Sequence, residues 1–155
     1  MHQHGYQWTG PKERFDQEAL RRPPHPEPPP PGGKPELIQR YQEVAAEFPT
    51  SDLPPLETAH WLIKPRSLVR GTWSEAQEAA EWLGKRWAEH TDRFASAHDR
   101  DMTRLSRLVG SAAVQLAAGV DVSYGFYLER PAFLHLAVVT CSPNRSMPDL
   151  PCPLG

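Results

Sequence analysis

The sequence predicts an α+β protein, with about three helices packed on a small antiparallel sheet that contains a C-terminal β-hairpin. A disordered, proline-rich N-terminal tail is expected before this domain. Three observations carry the prediction: a dense proline tract ending in two glycines, helically spaced apolar residues after it, and two apolar stretches of strand length near the end. We therefore expect a disordered tail over residues 1–34, a compact domain over 35–142 and an extended C-terminal tail over 143–155.

The N-terminal tail is predicted from composition. Seven of the nine residues from Pro23 to Pro31 are proline, and the rest of residues 1–34 contains only scattered aromatic side chains. Such a segment buries too little apolar surface to offset the entropy lost on ordering. The tract is expected to be an extended polyproline II spacer. A ligand for an aromatic groove in a partner protein is the alternative, although the arginines at 21 and 22 match neither common orientation of an SH3 ligand.

The first predicted helix covers about residues 35–48. Pro35 followed by Glu36 is typical of a first helical turn, and Pro49 ends the pattern. This helix should bury one face, which consists of Leu37, Ile38, Tyr41, Val44, Ala45 and Phe48.

Short extended segments are expected after this helix, at 61–63 and 67–70.

Residues 73–118 contain the strongest helical pattern. Thr72 and Glu75 have the spacing of a capping box, which predicts a helix start. No residue between 92 and 98 must break a helix, so one helix of about 68 Å could cover the whole stretch. We favour two helices with a break at 91–97, because a single one could not bury both of its apolar seams in so small a domain. Gly119 is expected as a left-handed cap.

The hairpin follows from two apolar patterns. Residues 120–128 alternate between apolar and polar side chains, which is typical of a strand covered on one face. Residues 133–140 are almost continuously apolar, as in a strand buried on both faces. A turn around Pro131 is expected to join them.

Composition narrows the classes of function. The net charge of −2 implies no strong attraction to nucleic acid or to an anionic membrane surface. There is no apolar stretch of signal-peptide type and no run of about eighteen apolar residues, so we expect a cytoplasmic protein without membrane contact. Arginine outnumbers lysine 13 to 4, a bias typical of GC-rich coding sequence and hence of a small bacterial protein. The two cysteines are expected to be free thiols.

No motif predicts catalysis. Ser123 lies in a segment similar to a nucleophile elbow, but the first glycine is missing and the order of elements is reversed. His135 and Cys141 would lie about 20 Å apart on one strand, too far for a catalytic pair. The simpler interpretation of Cys141 is a small core residue, and the alternative is a redox thiol, alone or paired with Cys152. We predict no catalytic residue and no cofactor.

Metal binding has one weak candidate pair in the sequence. His98 and Asp101 are spaced by three residues and could reach one ion from a helix, although capping and solvation also explain them. His2 and His4, next to the free N-terminal amine, could take up copper or nickel adventitiously, which we do not interpret as function.

Two surfaces are candidates for partners. Trp73 and Trp82 could form an aromatic patch for another protein, although core packing is the simpler interpretation. Arg100, Arg104 and Arg107 form a basic stripe, and the order of elements is that of a winged-helix DNA-binding domain. Against DNA binding, residues 35–142 contain 11 basic and 14 acidic side chains.

The leading hypothesis is therefore a non-enzymatic interaction or regulatory protein that binds a protein partner or a second copy of itself. Nucleic acid is an alternative partner that we do not favour, in a winged-helix transcriptional regulator that would use the three arginines. The second alternative is a small enzyme or metal-binding protein.

Overall fold

A computed structural model describes all 155 residues, which form one four-stranded antiparallel sheet with the two longest helices on one of its faces. The strand order is β2-β1-β4-β3. The strands are β1 (His2–Pro11), β2 (Gly71–Trp73), β3 (Val122–Tyr127) and β4 (Ala132–Cys141). The α-helices are α1 (Lys12–Phe15), α2 (Pro35–Glu47), α3 (Ala76–His90) and α4 (Met102–Ala117), and 3₁₀-helices cover Glu18–Arg21, Thr58–Ile63, Arg66–Leu68 and Thr91–Arg93. The α+β class and the hairpin of β3 and β4 are confirmed.

The N-terminus is an interior strand of the sheet, so the prediction of a disordered tail over residues 1–34 is wrong. β1 pairs along its whole length with β4, from His2 opposite Cys141 to Pro11 opposite Ala132, and its other edge pairs with β2. Tyr6 and Trp8 are both buried. β1 is ordered because it pairs with a strand that lies far along the chain. β4 supplies the hydrogen bonds and the apolar surface that the residues near β1 in the sequence do not supply.

The chain leaves the sheet after β1, and the proline tract then leads to α2. Arg21, which precedes the tract, is itself buried. α2 begins at Pro35 as expected but contains no fully buried residue, so its predicted inner face packs only in part. Phe48, directly after the helix, is buried, and the ammonium of Lys64 donates a 2.7 Å hydrogen bond to its carbonyl.

α3 and α4 cover one face of the sheet. Their buried residues include Leu83, Trp87 and Leu116, which pack with Leu134 and Leu136 of β4. The helical stretch is broken between His90 and Met102, because a 3₁₀ turn follows α3. The predicted capping box is wrong, since Thr72 belongs to β2 and no side chain caps α3.

The opposite face of the sheet is covered by short helices and irregular segments. Trp61 stacks on Tyr6 with ring centroids 4.6 Å apart, and it belongs to a 3₁₀-helix where a short strand was predicted. Leu150 and Cys152 of the C-terminal segment pack against the same apolar cluster. This layer brings both ends of the chain to one end of the sheet.

A buried polar group holds the start of the C-terminal segment. Asn144 donates to both carboxylate oxygens of Asp121, at 3.0 and 3.2 Å, and accepts hydrogen bonds from the backbone N–H groups of Ser146 and Met147. Gly119 has φ +80°, as expected of the left-handed cap of α4. No helix combines the length and hydropathy that a membrane span requires.

Candidate metal centre

Four potential metal ligands from three segments of the chain meet where β1 begins and β4 ends. His2 and His4 are two residues apart on β1, so their side chains leave the same face of the sheet. Cys141 is the direct cross-strand neighbour of His2 and shares that face. Cys152 reaches the cluster from the C-terminal segment. One ligand atom from each residue lies within 4.8 Å of the other three.

The distances among His2, His4 and Cys152 are close to those between ligands of a tetrahedral zinc ion, and Cys141 lies within 4.8 Å of all three. Bond lengths of about 2.0–2.1 Å to nitrogen and about 2.3 Å to sulfur imply separations of about 3.3 Å between two ligand nitrogens and about 3.6 Å between nitrogen and sulfur. The Nε2 atoms of His2 and His4 are 3.1 Å apart. The Sγ of Cys152 lies 3.6 Å from Nε2 of His2 and 3.4 Å from Nε2 of His4.

The second ring nitrogen of His4 is held by a side chain from the neighbouring strand. Nδ1 of His4 lies 2.8 Å from the hydroxyl oxygen of Thr72, which is its cross-strand partner on β2. When Nδ1 carries the proton and donates a hydrogen bond to the hydroxyl oxygen, Nε2 keeps its lone pair and faces the cluster. Protein sites commonly orient a metal-binding imidazole in this way.

Burial controls the protonation of the cluster. His4 and Cys141 are both fully buried. Desolvation, with a smaller contribution from His2, lowers the pKa of His4 to about 4, so its imidazole is neutral near pH 7. Burial raises the pKa of the Cys141 thiol, and a bound cation would have to displace its proton. Burial, together with the two cysteines, also raises the pKa of Tyr6.

The ligand set is that of a closed, structural site. Two imidazoles and two thiols fill all four positions of a tetrahedral ion, so no position is left for a reacting water or substrate. A catalytic zinc ion usually has three protein ligands and one open position. The chemistry that this arrangement supports is tight binding of a thiophilic divalent ion that joins separate parts of the chain.

The residues predicted as a metal pair lie elsewhere. His98 is exposed in the segment between α3 and α4. The carboxylate of Asp101 caps α4, because it accepts hydrogen bonds from the backbone N–H groups of Thr103 and Arg104. Neither residue belongs to the cluster of four ligands.

The candidate DNA-binding arginines make different contacts. Arg100 donates a 2.8 Å hydrogen bond to the carbonyl of Phe94, and Arg104 forms a 3.2 Å ion pair with Asp99. Arg107 is exposed. Two of the three side chains are therefore engaged within the chain.

The other sequence candidates are spread over the two faces of the sheet. Trp73 and Trp82 pack against each other, with ring centroids 5.2 Å apart, and both are partly buried. Ser123 is exposed on β3. His135 is buried beside aromatic rings, and desolvation, with a smaller contribution from Arg21, lowers its pKa to about 3. The structure brings together Cys141 and Cys152, the two redox candidates.

Sequence reasoning noted all four ligands but did not combine them. The prediction places His2 and His4 in a disordered tail, and it interprets the cysteines as free thiols or redox candidates and not as metal ligands. A signal was present: His2, His4, Tyr6 and Trp8 alternate with other residues at the period of a strand. A His-x-His pair on a strand is a stronger metal signal than the same pair in a flexible tail, because the strand directs both rings to one side.

Comparison with protein-family models, curated proteins and solved structures finds no match to this chain. The geometry of its own residues is therefore the basis for a functional assignment.

Proposed function

We propose that this chain is a zinc-binding protein in which His2, His4, Cys141 and Cys152 hold one ion that has a structural role. The observation that supports this function is the convergence of the four ligand atoms within 4.8 Å, although they come from β1, the end of β4 and the C-terminal segment. In this proposal the ion fastens both ends of the chain to the sheet.

The ligand types favour zinc over other common ions. Magnesium and calcium prefer oxygen ligands, and the cluster contains none. Two thiolates and two imidazoles in a tetrahedral arrangement are typical of zinc. The oxygen of Ser142 lies 3.5 Å from the sulfur of Cys141, at hydrogen-bonding distance for a thiolate.

A zinc ion would strengthen the attachment of the C-terminal segment to the sheet, which is otherwise weak. Cys152 lies outside the strands and helices, and its segment is held by apolar packing of Leu150 and by the turn around Asn144. Coordination would bond this segment to the two central strands. Because the unfolded chain does not hold the ligands together, the free energy of zinc binding would contribute to folding.

A structural zinc site is compatible with the leading hypothesis from the sequence, a non-enzymatic protein that acts through interactions. It is also a specific form of the metal-binding alternative. Winged-helix DNA binding stays a prediction. We place the protein in the cytoplasm, where a reducing environment would keep both thiols available as ligands.

The test is the metal content of the purified protein. After the protein has been equilibrated with zinc and unbound ion has been removed, we expect elemental mass spectrometry to find one zinc ion per chain. Replacement of zinc by Co²⁺ should produce the intense visible absorption of a tetrahedral thiolate site. The variants His4→Ala and Cys152→Ser should lose the ion, whereas His98→Ala, which changes an exposed histidine, should retain it.

The competing explanation is that the four side chains satisfy one another by hydrogen bonds without an ion. In that case the purified protein would bind zinc no better than the His4→Ala variant. That result would overturn the proposed function.

A further inference from the structure

We propose that the cavity between the proline tract and the segment 54–60 binds an organic oxyanion, a carboxylate or phosphate on an apolar body, with Arg21 as its principal anchor. This site is separate from the metal centre, and its residues have no part in the function proposed above.

The central observation is a buried guanidinium without a counter-ion. Arg21 is only 8% exposed, yet no carboxylate lies within ion-pairing distance of it. Asp16 and Glu18 are near enough to raise its pKa, whereas burial lowers the pKa by more. These two carboxylates pair instead with Lys12 and Arg22. A buried charge is costly unless it is paired, so Arg21 is poised to gain an anionic partner.

Arg21 is fixed in position but keeps free donors. Its Nε donates to the carbonyl of Pro54 at 2.8 Å, and Nη1 donates to the carbonyl of Phe15 at 3.2 Å. The guanidinium lies over the ring of Phe15, 3.7 Å from the centroid. Nη2 has no hydrogen-bond partner in the chain. A guanidinium held in this way loses little freedom when it binds a carboxylate or a phosphate.

The cavity at Arg21 has the size of a small-molecule site. Its volume is about 560 Å³, within the range of about 300–1,000 Å³ that is usual for ligand pockets. The prolines of the tract form one wall, which is stiff because proline fixes its own backbone. Leu56, Glu57 and His60 form the opposite wall. The proline tract therefore has a position and a role in the folded protein that its composition alone does not indicate.

The other polar groups of the cavity favour a negative ligand. Arg22, His25 and His60 line it together with one acidic residue, Glu57. Burial lowers the pKa of His60, so its imidazole serves as a neutral hydrogen-bond donor rather than as a positive charge. The Nδ1 atom of His60 is buried without a hydrogen-bond partner. The apolar lining from proline and leucine side chains would contact a ring or chain attached to the anion. These features together define the ligand class as an oxyanion on an apolar body.

The experiment measures binding of four probes to the zinc-loaded, full-length protein by isothermal titration calorimetry. Benzoate and phenyl phosphate carry the two oxyanions on an apolar ring and show which one is preferred. Benzamide is a neutral analogue of benzoate, and inorganic phosphate has no apolar body. We expect binding of benzoate or phenyl phosphate, and at least about 10-fold weaker binding of both comparison compounds.

Variants of two arginines locate the site. Arg21→Gln should weaken binding of the preferred probe by about 10- to 100-fold. Arg14→Gln, which changes an exposed arginine outside the cavity, should leave affinity unchanged. If Arg21→Gln does not fold, Arg22→Gln changes an exposed arginine that lines the same cavity and should still weaken binding several-fold.

The site assignment is overturned if neither aromatic anion binds, or if benzamide binds as tightly as the preferred anion. Equal binding by the Arg14→Gln variant and by the variant of the cavity arginine would also overturn it. Loss of zinc binding in the His4→Ala variant without loss of anion binding would show that the two sites are independent.

Discussion

Zinc should stabilise the folded protein by an amount that depends on its free concentration in a defined way. The structure contains one site whose ligands come from three segments, and only His2 and His4 are close together in the unfolded chain. The unfolded state should therefore bind zinc weakly. For one site that binds the folded state alone, each tenfold increase in free zinc above the dissociation constant adds about 1.4 kcal/mol to the free energy of unfolding. For a protein of this length that corresponds to a rise in Tm of about 3–6 °C.

The assay is thermal unfolding, followed by circular dichroism, at a series of buffered free zinc concentrations. The Tm of Cys152→Ser should not depend on zinc in the same range, because the site loses its fourth ligand and the C-terminal segment is no longer attached through the ion. His98→Ala should behave as the unmodified chain does. A Tm that does not change with zinc would refute the reasoning. So would an equal slope in Cys152→Ser, since it would place the ion elsewhere.

Three further substitutions test other parts of the structure. Thr72→Val removes the acceptor at Nδ1 of His4 and should weaken zinc binding by about 10- to 100-fold, measured by competition with a chromophoric chelator; unchanged affinity would exclude a positioning role. His135 has its pKa lowered by burial to about 3, so the folded state resists its protonation and stability is lost as pH falls from about 6.5 towards about 3. In EDTA, His135→Leu should abolish about 2–3 kcal/mol of the loss between about pH 7 and about pH 4.5, as measured by urea unfolding; an unchanged pH dependence would contradict this assignment. Asn144→Ala breaks the hydrogen bonds to Asp121 and should lower the free energy of unfolding by about 3 kcal/mol; a loss below about 1 kcal/mol in urea unfolding would mean that the carboxylate finds another partner.

Local patterns predicted the parts of the fold that depend on local physics. The helix beginning at Pro35, the cap at Gly119 and the hairpin of β3 and β4 each follow from spacing or turn chemistry within a few residues. The two apolar seams also indicated correctly that the stretch after β2 is divided, and the break follows His90.

The sequence did not reveal β1, because this strand owes its stability to partners far along the chain. Its composition resembles that of a polar tail, since glutamine, histidine and glycine alternate with its aromatic residues. Pairing with β4 on one edge and β2 on the other is what makes burial of Tyr6 and Trp8 favourable. The candidate metal site was missed for the same reason, because two of its ligands lie on β1 and the other two lie at the far end of the chain.

The position of β1 has a consequence for the order in which the protein can be assembled during synthesis. This strand is synthesised long before its principal neighbour, β4, which emerges only after about 120 to 140 further residues. Until then β1 exposes aromatic side chains and two unpaired edges, which are features that favour aggregation and binding by chaperones. We expect the nascent chain to acquire protease resistance only after β4 has been synthesised, with helices α3 and α4 forming before the sheet that they cover.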